Sequence, residues 1–465
     1  MFIGRQDELQ FLEDRYHAIN GQLVVLYGRR RIGKTETLRK FCEGKEHVFY
    51  ACTESPDEQQ LIAFSERILQ KGVPAARYIR RFPTWVQALQ GITELPVTGK
   101  KLLIIDEFPY MVKGNASIPS VLQNLWDEGL KDQDVMIVLC GSAMSFMENE
   151  ILAEKNPLYG RATGILKMRE MSFYEAIQFL PNYNALEQIT AFAVLGGVPH
   201  YLKQFDPALP ISENICRNIL SRGSILYNET EFLMRQELRE TAYYNAIIEA
   251  AALGNTKLSD IHQKTQIEKT KLSAYLKNLT KLNILNREFP VLKSVKERAN
   301  VHRGLYQVTD NYFRFWFAFV FPNLSELETG DVTGIWKNVI EPALDEYTSR
   351  IFEDICRQYL RRQNRGAALP FYFTTIGRWW DKGSEIDIMA IDSKKQNYLL
   401  GECKYRNSAV TLSELQTLRE KFKPDGGPGK VFYSLFSKSG FTNEIRRAAK
   451  TEGVILVTAE EIVRG

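Results

Sequence analysis

Residues 23–27 (LVVLY) and 135–140 (VMIVLC) are unbroken apolar runs, and the stretch 101–110 (KLLIIDEFPY) opens as one. Runs of this length without polar alternation predict strands buried on both faces of a sheet. A further strand is expected over 46–52. Between these runs, 58–69 and 85–92 place apolar residues at helical spacing, so the first third reads as strands alternating with helices. The pattern then changes. Residues 243–253, 258–264 and 269–282 read as three helices, the last with Leu272, Leu276 and Leu279 on one face; 284–289 and 304–308 read as short strands. Three helices and a two-stranded wing predict a winged helix-turn-helix. A helix over 343–361 follows, with Leu344, Tyr347, Ile351 and Ile355 along one side. Residues 385–391 and 397–404 alternate about the polar turn 392–396, the period of a half-buried hairpin. A helix over 412–423, a Gly-rich turn at 426–429 and strands at 431–435 and 454–457 complete the pattern.

A chain of 465 residues suffices for about three domains of ordinary size. Its 44% hydrophobic and 25% charged residues are an ordinary globular composition. A net charge of +4 is close to balance, so any nucleic-acid signal must be local. One such cluster spans 268–303: nine basic residues (Lys269, Lys271, Lys277, Lys281, Arg287, Lys293, Lys296, Arg298, Arg303) against three acids (Glu268, Glu288, Glu297). The excess falls on the third helix and the wing, where phosphate contacts would be made. A merely solvated face, or a packing module between neighbouring domains, is the alternative. The aromatics Phe313, Phe315, Trp316, Phe317 and Phe319 read as core or interdomain contact rather than a stacking platform. Six scattered cysteines without C-x-x-C spacing suggest a reducing compartment. Charge at Arg5, Asp7 and Glu8 comes too early for a signal peptide, and the apolar run 315–321 falls far short of the ~20 residues that span a bilayer. A cytoplasmic protein with no membrane partner is expected.

Candidate chemistry begins after the first strand. Gly28, Gly33, Lys34 and Thr35 match G-x-x-x-x-G-K-[ST] between an apolar strand and a helix, the context a Walker A loop requires. Backbone N–H groups of residues 28–36 (Gly28, Arg29, Arg30, Arg31, Ile32, Gly33, Lys34, Thr35, Glu36) would face the phosphates of ATP, Lys34 would neutralise the β and γ oxygens, and the Thr35 hydroxyl would meet Mg²⁺. The stretch 101–110 ends in two carboxylates, a Walker B arrangement. Asp106 would hold the Mg²⁺ and Glu107 would polarise the attacking water. Ser142, just past the strand 135–140, is placed to touch the γ-phosphate or the water.

These motifs, together with the FIGRQDEL start, the LYGRATG segment at 158–164 and the GGVPHYL segment at 196–202, resemble the archaeal-type prokaryotic ATPases of the STAND branch of the AAA+ superfamily. The resemblance covers roughly the first half of the chain. It implies a P-loop αβα sandwich with a helical lid from about residue 170 to 235, and Arg161 as an arginine finger for the transferred phosphoryl group. A surface arginine after a glycine turn is the other reading of Arg161. Oligomeric state is left open: some relatives form rings, a homo-oligomer, and others act as single-chain switches.

In the carboxyl-terminal hairpin, counting back from the turn sets Asp387 across from Gly401 or, with a one-residue bulge, Glu402; Lys404 lies two along from Glu402 on the same face. Facing carboxylates repel unless a cation sits between them, which points to Mg²⁺ or Mn²⁺, with Lys404 orienting water or stabilising charge. The pattern resembles the PD-(D/E)xK nucleases, and the region resembles the nuclease-like domain fused to archaeal-type ATPases. From that resemblance Glu353 maps to a further metal-binding carboxylate, although the helical pattern sets it away from the apolar stripe. An ordinary charged hairpin is the alternative.

The expected architecture is multidomain α/β: a P-loop ATPase with helical lid at 1–235, a winged helix-turn-helix at 236–322, a linker at 323–335, and a restriction-endonuclease-like domain at 336–465. The expected function is an ATP-hydrolysing protein whose ATPase gates a metal-dependent nuclease acting on DNA. Its alternative is a STAND-type signalling switch with an inactive docking domain.

Overall fold

The computed structural model describes residues 2–238, 240–293, 297, 304–381, 383–422 and 429–465. Lys296, Arg298, Arg303 and the turn residues Gly426 and Gly427 lie outside the described residues. The chain divides into two compact units, one of residues 1–171 with 198–200 and one of residues 172–197 with 201–465.

The first unit is built on a five-stranded sheet. In chain order its strands are β1 (Gln22–Tyr27), β2 (His47–Ala51), β3 (Lys101–Asp106), β4 (Val135–Gly141) and β5 (Gly164–Lys167), arranged β2-β3-β4-β1-β5. All pairings are parallel. The unbroken apolar runs follow from this, because every residue of β1 and β4 is buried and helices cover both faces. Leu23, Val25, Leu103, Ile105, Ile137 and Leu139 enter one core and Val24, Leu26, Leu102, Ile104, Met136 and Val138 the other. Register sets the functional edge. Tyr27 lies beside Gly141, and Ile105 beside Leu139. The residues that follow, Gly28, Asp106 and Ser142, therefore emerge together at the carboxyl ends of adjacent strands. The short edge strand β5 has no apolar pattern and was not expected.

In the second unit, helices Thr241–Ala252, Leu258–Thr265 and Lys269–Lys281 precede an antiparallel ribbon of β6 (Leu285–Glu288) and β7 (Leu305–Val308). Leu272, Leu276 and Leu279 are buried, whereas Lys269, Lys271, Lys277 and Lys281 are exposed. Phe313, Phe315, Trp316, Phe317 and Phe319 are core residues, as expected. The stretch expected as a linker holds the short helices Leu324–Thr329 and Val332–Ile335, anchored by buried Leu327 and Ile335. The segment expected as part of a lid packs here too: the Tyr347 hydroxyl lies 3.1 Å from the Ala193 carbonyl in helix Ala185–Leu195.

The long helix Glu341–Arg365 leads to a second five-stranded sheet of β8 (Thr375–Asp381), β9 (Ser384–Ile391), β10 (Asn397–Lys404), β11 (Lys430–Ser437) and β12 (Ile455–Thr458), in sequential order. β8-β9-β10 pair antiparallel and β10-β11-β12 parallel. The hairpin register corrects the counting of the sequence. Ile391 faces Tyr398 and Ile388 faces Gly401, so Asp387 aligns with Glu402 and the ladder carries no bulge. Six residues rather than five lie between the facing Ile391 and Tyr398, and Asp392 closes this turn, accepting from the Gln396 N–H at 2.8 Å and from the Asn397 side chain at 2.7 Å.

Candidate functional site

The phosphate loop leaves β1 and enters helix Lys34–Cys42 through two residues of left-handed backbone, Arg31 at φ 69° and Gly33 at φ 92°. Gly28 is required by space: a Cβ there would lie 2.5 Å from the Met168 carbonyl oxygen and 2.6 Å from Ile32 Cδ1. Lys34 is buried, and its Nζ donates to the carbonyls of Gly28 (2.9 Å) and Arg29 (2.8 Å), closing the loop on itself. Burial lowers its pKa, while Cys140, Glu107 and Asp106 act in the opposite sense.

Thr35 Oγ1 donates to Asp106 Oδ2 at 2.7 Å. A hydroxyl and a carboxylate held together are the hard oxygen donors that Mg²⁺ takes, so this pair fits the ion. Glu107, at φ 54° before helix Phe108–Gly114, turns its carboxylate toward β4. Its Oε2 accepts from Ser142 Oγ at 2.8 Å and from the Ser142 N–H at 3.2 Å. The structure thus gathers Lys34, Thr35, Asp106, Glu107 and Ser142 at one edge of the sheet.

The remaining loop residues are held from outside. Arg29 pairs with Glu170 at 3.1 Å, and exposed Glu36 with Arg39 at 3.2 Å; Arg30 and Arg31 are half-buried. The Ile32 carbonyl accepts from Arg5 Nη2 at 2.6 Å, and Arg5 Nη1 reaches the Arg169 carbonyl and Glu8, each at 2.8 Å. Buried Arg5 therefore buttresses the loop. Sequence reading missed that role, because an arginine before a helix carries no signal of a partner 27 residues away. Arg161 is engaged elsewhere: its guanidinium forks onto Asp127, with contacts of 2.7 to 3.1 Å, and donates to the Pro157 carbonyl at 2.9 Å.

In the second unit, Asp387 and Glu402 lie on neighbouring strands. The Cys403 N–H donates to Asp387 Oδ2 at 2.8 Å. Burial and the Glu402 charge nevertheless push the Asp387 pKa up. Glu402 is buried and doubly engaged, by Lys404 at 2.7 Å and by Lys421 at 2.8 Å. Lys421, at the end of helix Leu412–Lys421, was not anticipated. Glu353, on the long helix, is mostly buried beside Arg378 (3.4 Å) and Arg357 (3.9 Å), and burial and Asp387 raise its pKa. Glu353 approaches Asp387 from the helix side that lies off the apolar stripe. Among the described residues, no three His, Cys, Asp or Glu side chains are gathered as a metal-ligand set. Glu353 and Asp387 open into a cleft of about 820 Å³, bounded by the ribbon, the long helix and the β8-β9 hairpin.

Residues 2–205 match the family described as an ATPase domain predominantly from Archaea, and residues 316–417 match one described as archaeal and bacterial proteins of unknown function. A Methanocaldococcus jannaschii protein, the uncharacterized protein MJECL04, is 32% identical over 409 residues, spanning 88% of each chain. From the same organism, the uncharacterized ATP-binding protein MJ0423 is 48% identical over 46 residues, 10% of this chain and 78% of its own. Among solved structures, the chain is similar at 12% identity to the Aeropyrum pernix ORC1 protein in complex with DNA (TM-score 0.32) and at 14% identity to Cdc6p of Pyrobaculum aerophilum (TM-score 0.31). Each covers 72% of this chain and 94% of the other, and at these scores the likeness is too slight to bear on the site. No helix among the described residues is long and apolar enough to cross a membrane. The near full-length relative and the two domain matches in order together show that the chain belongs to the family of MJECL04 and carries an archaeal-type ATPase domain followed by a DUF234 domain.

Proposed function

We propose that this protein binds and hydrolyses ATP at the loop 28–36 and uses that cycle to gate a metal-dependent phosphodiesterase of the PD-(D/E)xK type acting on DNA. For the ATPase, Lys34 neutralises the β and γ phosphates, and Glu107, oriented by Ser142, polarises the attacking water. Thr35 and Asp106 would hold Mg²⁺, which would supply further charge neutralisation on the phosphates.

The observation that carries the nuclease half is the pairing of Asp387 with Glu402 on neighbouring strands, with Lys404 on Glu402. Carboxylate oxygens alone suit a hard divalent cation such as Mg²⁺ or Mn²⁺, which lowers the pKa of water and stabilises charge on the phosphoryl oxygens. Asp387 and Glu402 would hold that ion, and Lys404 orients the water. Attack forms a P–O bond to the water oxygen, which gives up a proton to solvent, and breaks the P–O bond to the leaving sugar oxygen, which takes a proton from solvent. The exposed lysines of helix Lys269–Lys281 and the ribbon β6-β7 support a winged-helix reading of that module, with DNA phosphates as its contacts.

One observation favours a second reading. Both oxygens of Glu402 are occupied by lysines, as in a structural ion-pair network, which fits an ATP-driven switch whose carboxyl-terminal domain docks rather than cuts. The deciding experiment incubates labelled DNA with Mg²⁺ or Mn²⁺, with and without ATP, and compares wild type with Asp387→Ala and Lys404→Ala. Metal-dependent cleavage lost in both variants supports the nuclease. Absence of cleavage beside normal ATP turnover transfers the weight to the switch.

A further inference from the structure

The cleft at the carboxyl-terminal site holds two kinds of cation. Arg357 and Arg378 lie within ion-pair distance of Glu353. Lys257, Arg314 and Arg350 line the same cleft, and among the described residues none of the three side chains has a carboxylate within ion-pair distance. They come from three places: Lys257 precedes helix Leu258–Thr265, Arg314 follows the ribbon, and Arg350 stands on the long helix, its guanidinium against Gly254. Arg314 Nη2 donates to the Val308 carbonyl at 2.8 Å, and the charges of Glu353 and Asp354 act on its guanidinium. Positive charge collected around a partly enclosed space, without a carboxylate at ion-pair distance and beside two carboxylates that repel each other, is the complement of a polyanion accompanied by a metal cation.

Size and lining narrow the ligand. At about 820 Å³ the cleft falls within the roughly 300–1,000 Å³ that encloses one small-molecule-sized ligand. That is room for one or two nucleotides. Trp380, half-exposed on β8, lines the same space, with the Arg378 guanidinium over its ring at 6.0 Å. Aromatic faces in cationic grooves stack unpaired bases, and a base inside a duplex has no free face to offer.

We propose that the cleft takes an unpaired nucleic-acid strand, its phosphates held by Lys257, Arg314 and Arg350 and a base stacked on Trp380, so that single-stranded DNA is delivered to Asp387 at the cleft wall. This rests on the nuclease reading for its chemistry but is tested by binding. Lys257 belongs to the three-helix module and Asp387 to the sheet domain, so strand selection is shared between the two.

Fluorescence anisotropy in EDTA, where no cleavage occurs, compares a labelled oligo-dT with a blunt hairpin duplex of equal charge. The expected result is at least about tenfold tighter binding of oligo-dT. Lys257→Ala combined with Arg350→Ala, both at exposed positions, weakens it and lowers the log–log salt slope by about 1.4, at ~0.7 per lost phosphate contact on a single strand. Trp380→Ala weakens oligo-dT binding without changing the slope, with melting temperature as the check on folding. Duplex bound as tightly as oligo-dT, or a salt slope unmoved in the double variant, overturns the proposal. Preferred single-strand binding without cleavage in Mg²⁺ or Mn²⁺ removes the nuclease reading and leaves this one standing. Cleavage confined to the interior of duplexes does the reverse.

Discussion

Glu107 and Ser142 form the contact on which the ATPase proposal can be tested most sharply. Glu107 Oε2 accepts two hydrogen bonds from one residue, 2.8 Å from Ser142 Oγ and 3.2 Å from its N–H. Glu107→Gln keeps the shape and removes the charge that polarises water. Loss of a positioned general base costs about 10²–10⁴ in rate, so kcat should fall at least about 100-fold, which is ~2.7 kcal/mol at ~1.36 kcal/mol per decade. Nucleotide affinity should hold, because the loop 28–36 is untouched. Ser142→Ala removes only the hydroxyl donor; the backbone N–H remains, and a smaller loss of about tenfold is expected. The double variant should lose much less than the product of the two, since an oriented carboxylate that is already gone cannot be misoriented. The assay is single-turnover phosphate release beside binding of a fluorescent nucleotide. Glu107→Gln within about threefold of wild type, or losses that simply multiply, would refute the assignment of Glu107 as the base oriented by Ser142.

Lys34→Ala should abolish stabilisation by ATP, which for wild type at 100 times Kd is about 2.7 kcal/mol, read as the nucleotide-induced shift in melting temperature. Gly28→Ala should destabilise by about 1–3 kcal/mol, because the Met168 carbonyl and Ile32 stand where the Cβ must go; Gly366→Ala, at φ −78° with only ordinary contacts at 3.7 Å for its Cβ, is the control. Tyr347→Phe removes the hydroxyl that lies between the Ala193 and Asn311 carbonyls, at 3.1 and 3.0 Å. A loss of about 1–3 kcal/mol is expected in urea unfolding followed at the second unit, and an unchanged midpoint would show that water replaces the contact.

The phosphate-binding edge was legible because its signal is contiguous. A strand, four constrained loop positions and a helix follow one another from Gln22 to Cys42, so local sequence carries the whole device. Asp106 and Ser142 were legible for a related reason: each ends an apolar run, and a parallel sheet brings such ends to one edge. Arg5 was not, since its value lies in reaching the Ile32 and Arg169 carbonyls, contacts that only the folded sheet creates. β5 and β8 escaped for want of apolar pattern. Gly164 and Arg378 on them matter through Phe11 and Glu353, not through their neighbours in sequence.

The carboxyl-terminal site shows where pattern reading stops and electrostatics begins. The hairpin period was enough to set Asp387 near Glu402, and the closing of the turn by Asp392 decided between two registers one residue apart. A shift of one residue would have sent Asp387 to the opposite relation with β10, so the register decides whether it meets Glu402. What no pattern carried is the sorting of charge around them. Lys421 lies 19 positions beyond Glu402, and Arg314 and Arg350 sit on different helices. On the sequence each is one basic residue among sixty, and their meaning comes from which of them the fold pairs with a carboxylate and which it leaves facing the cleft.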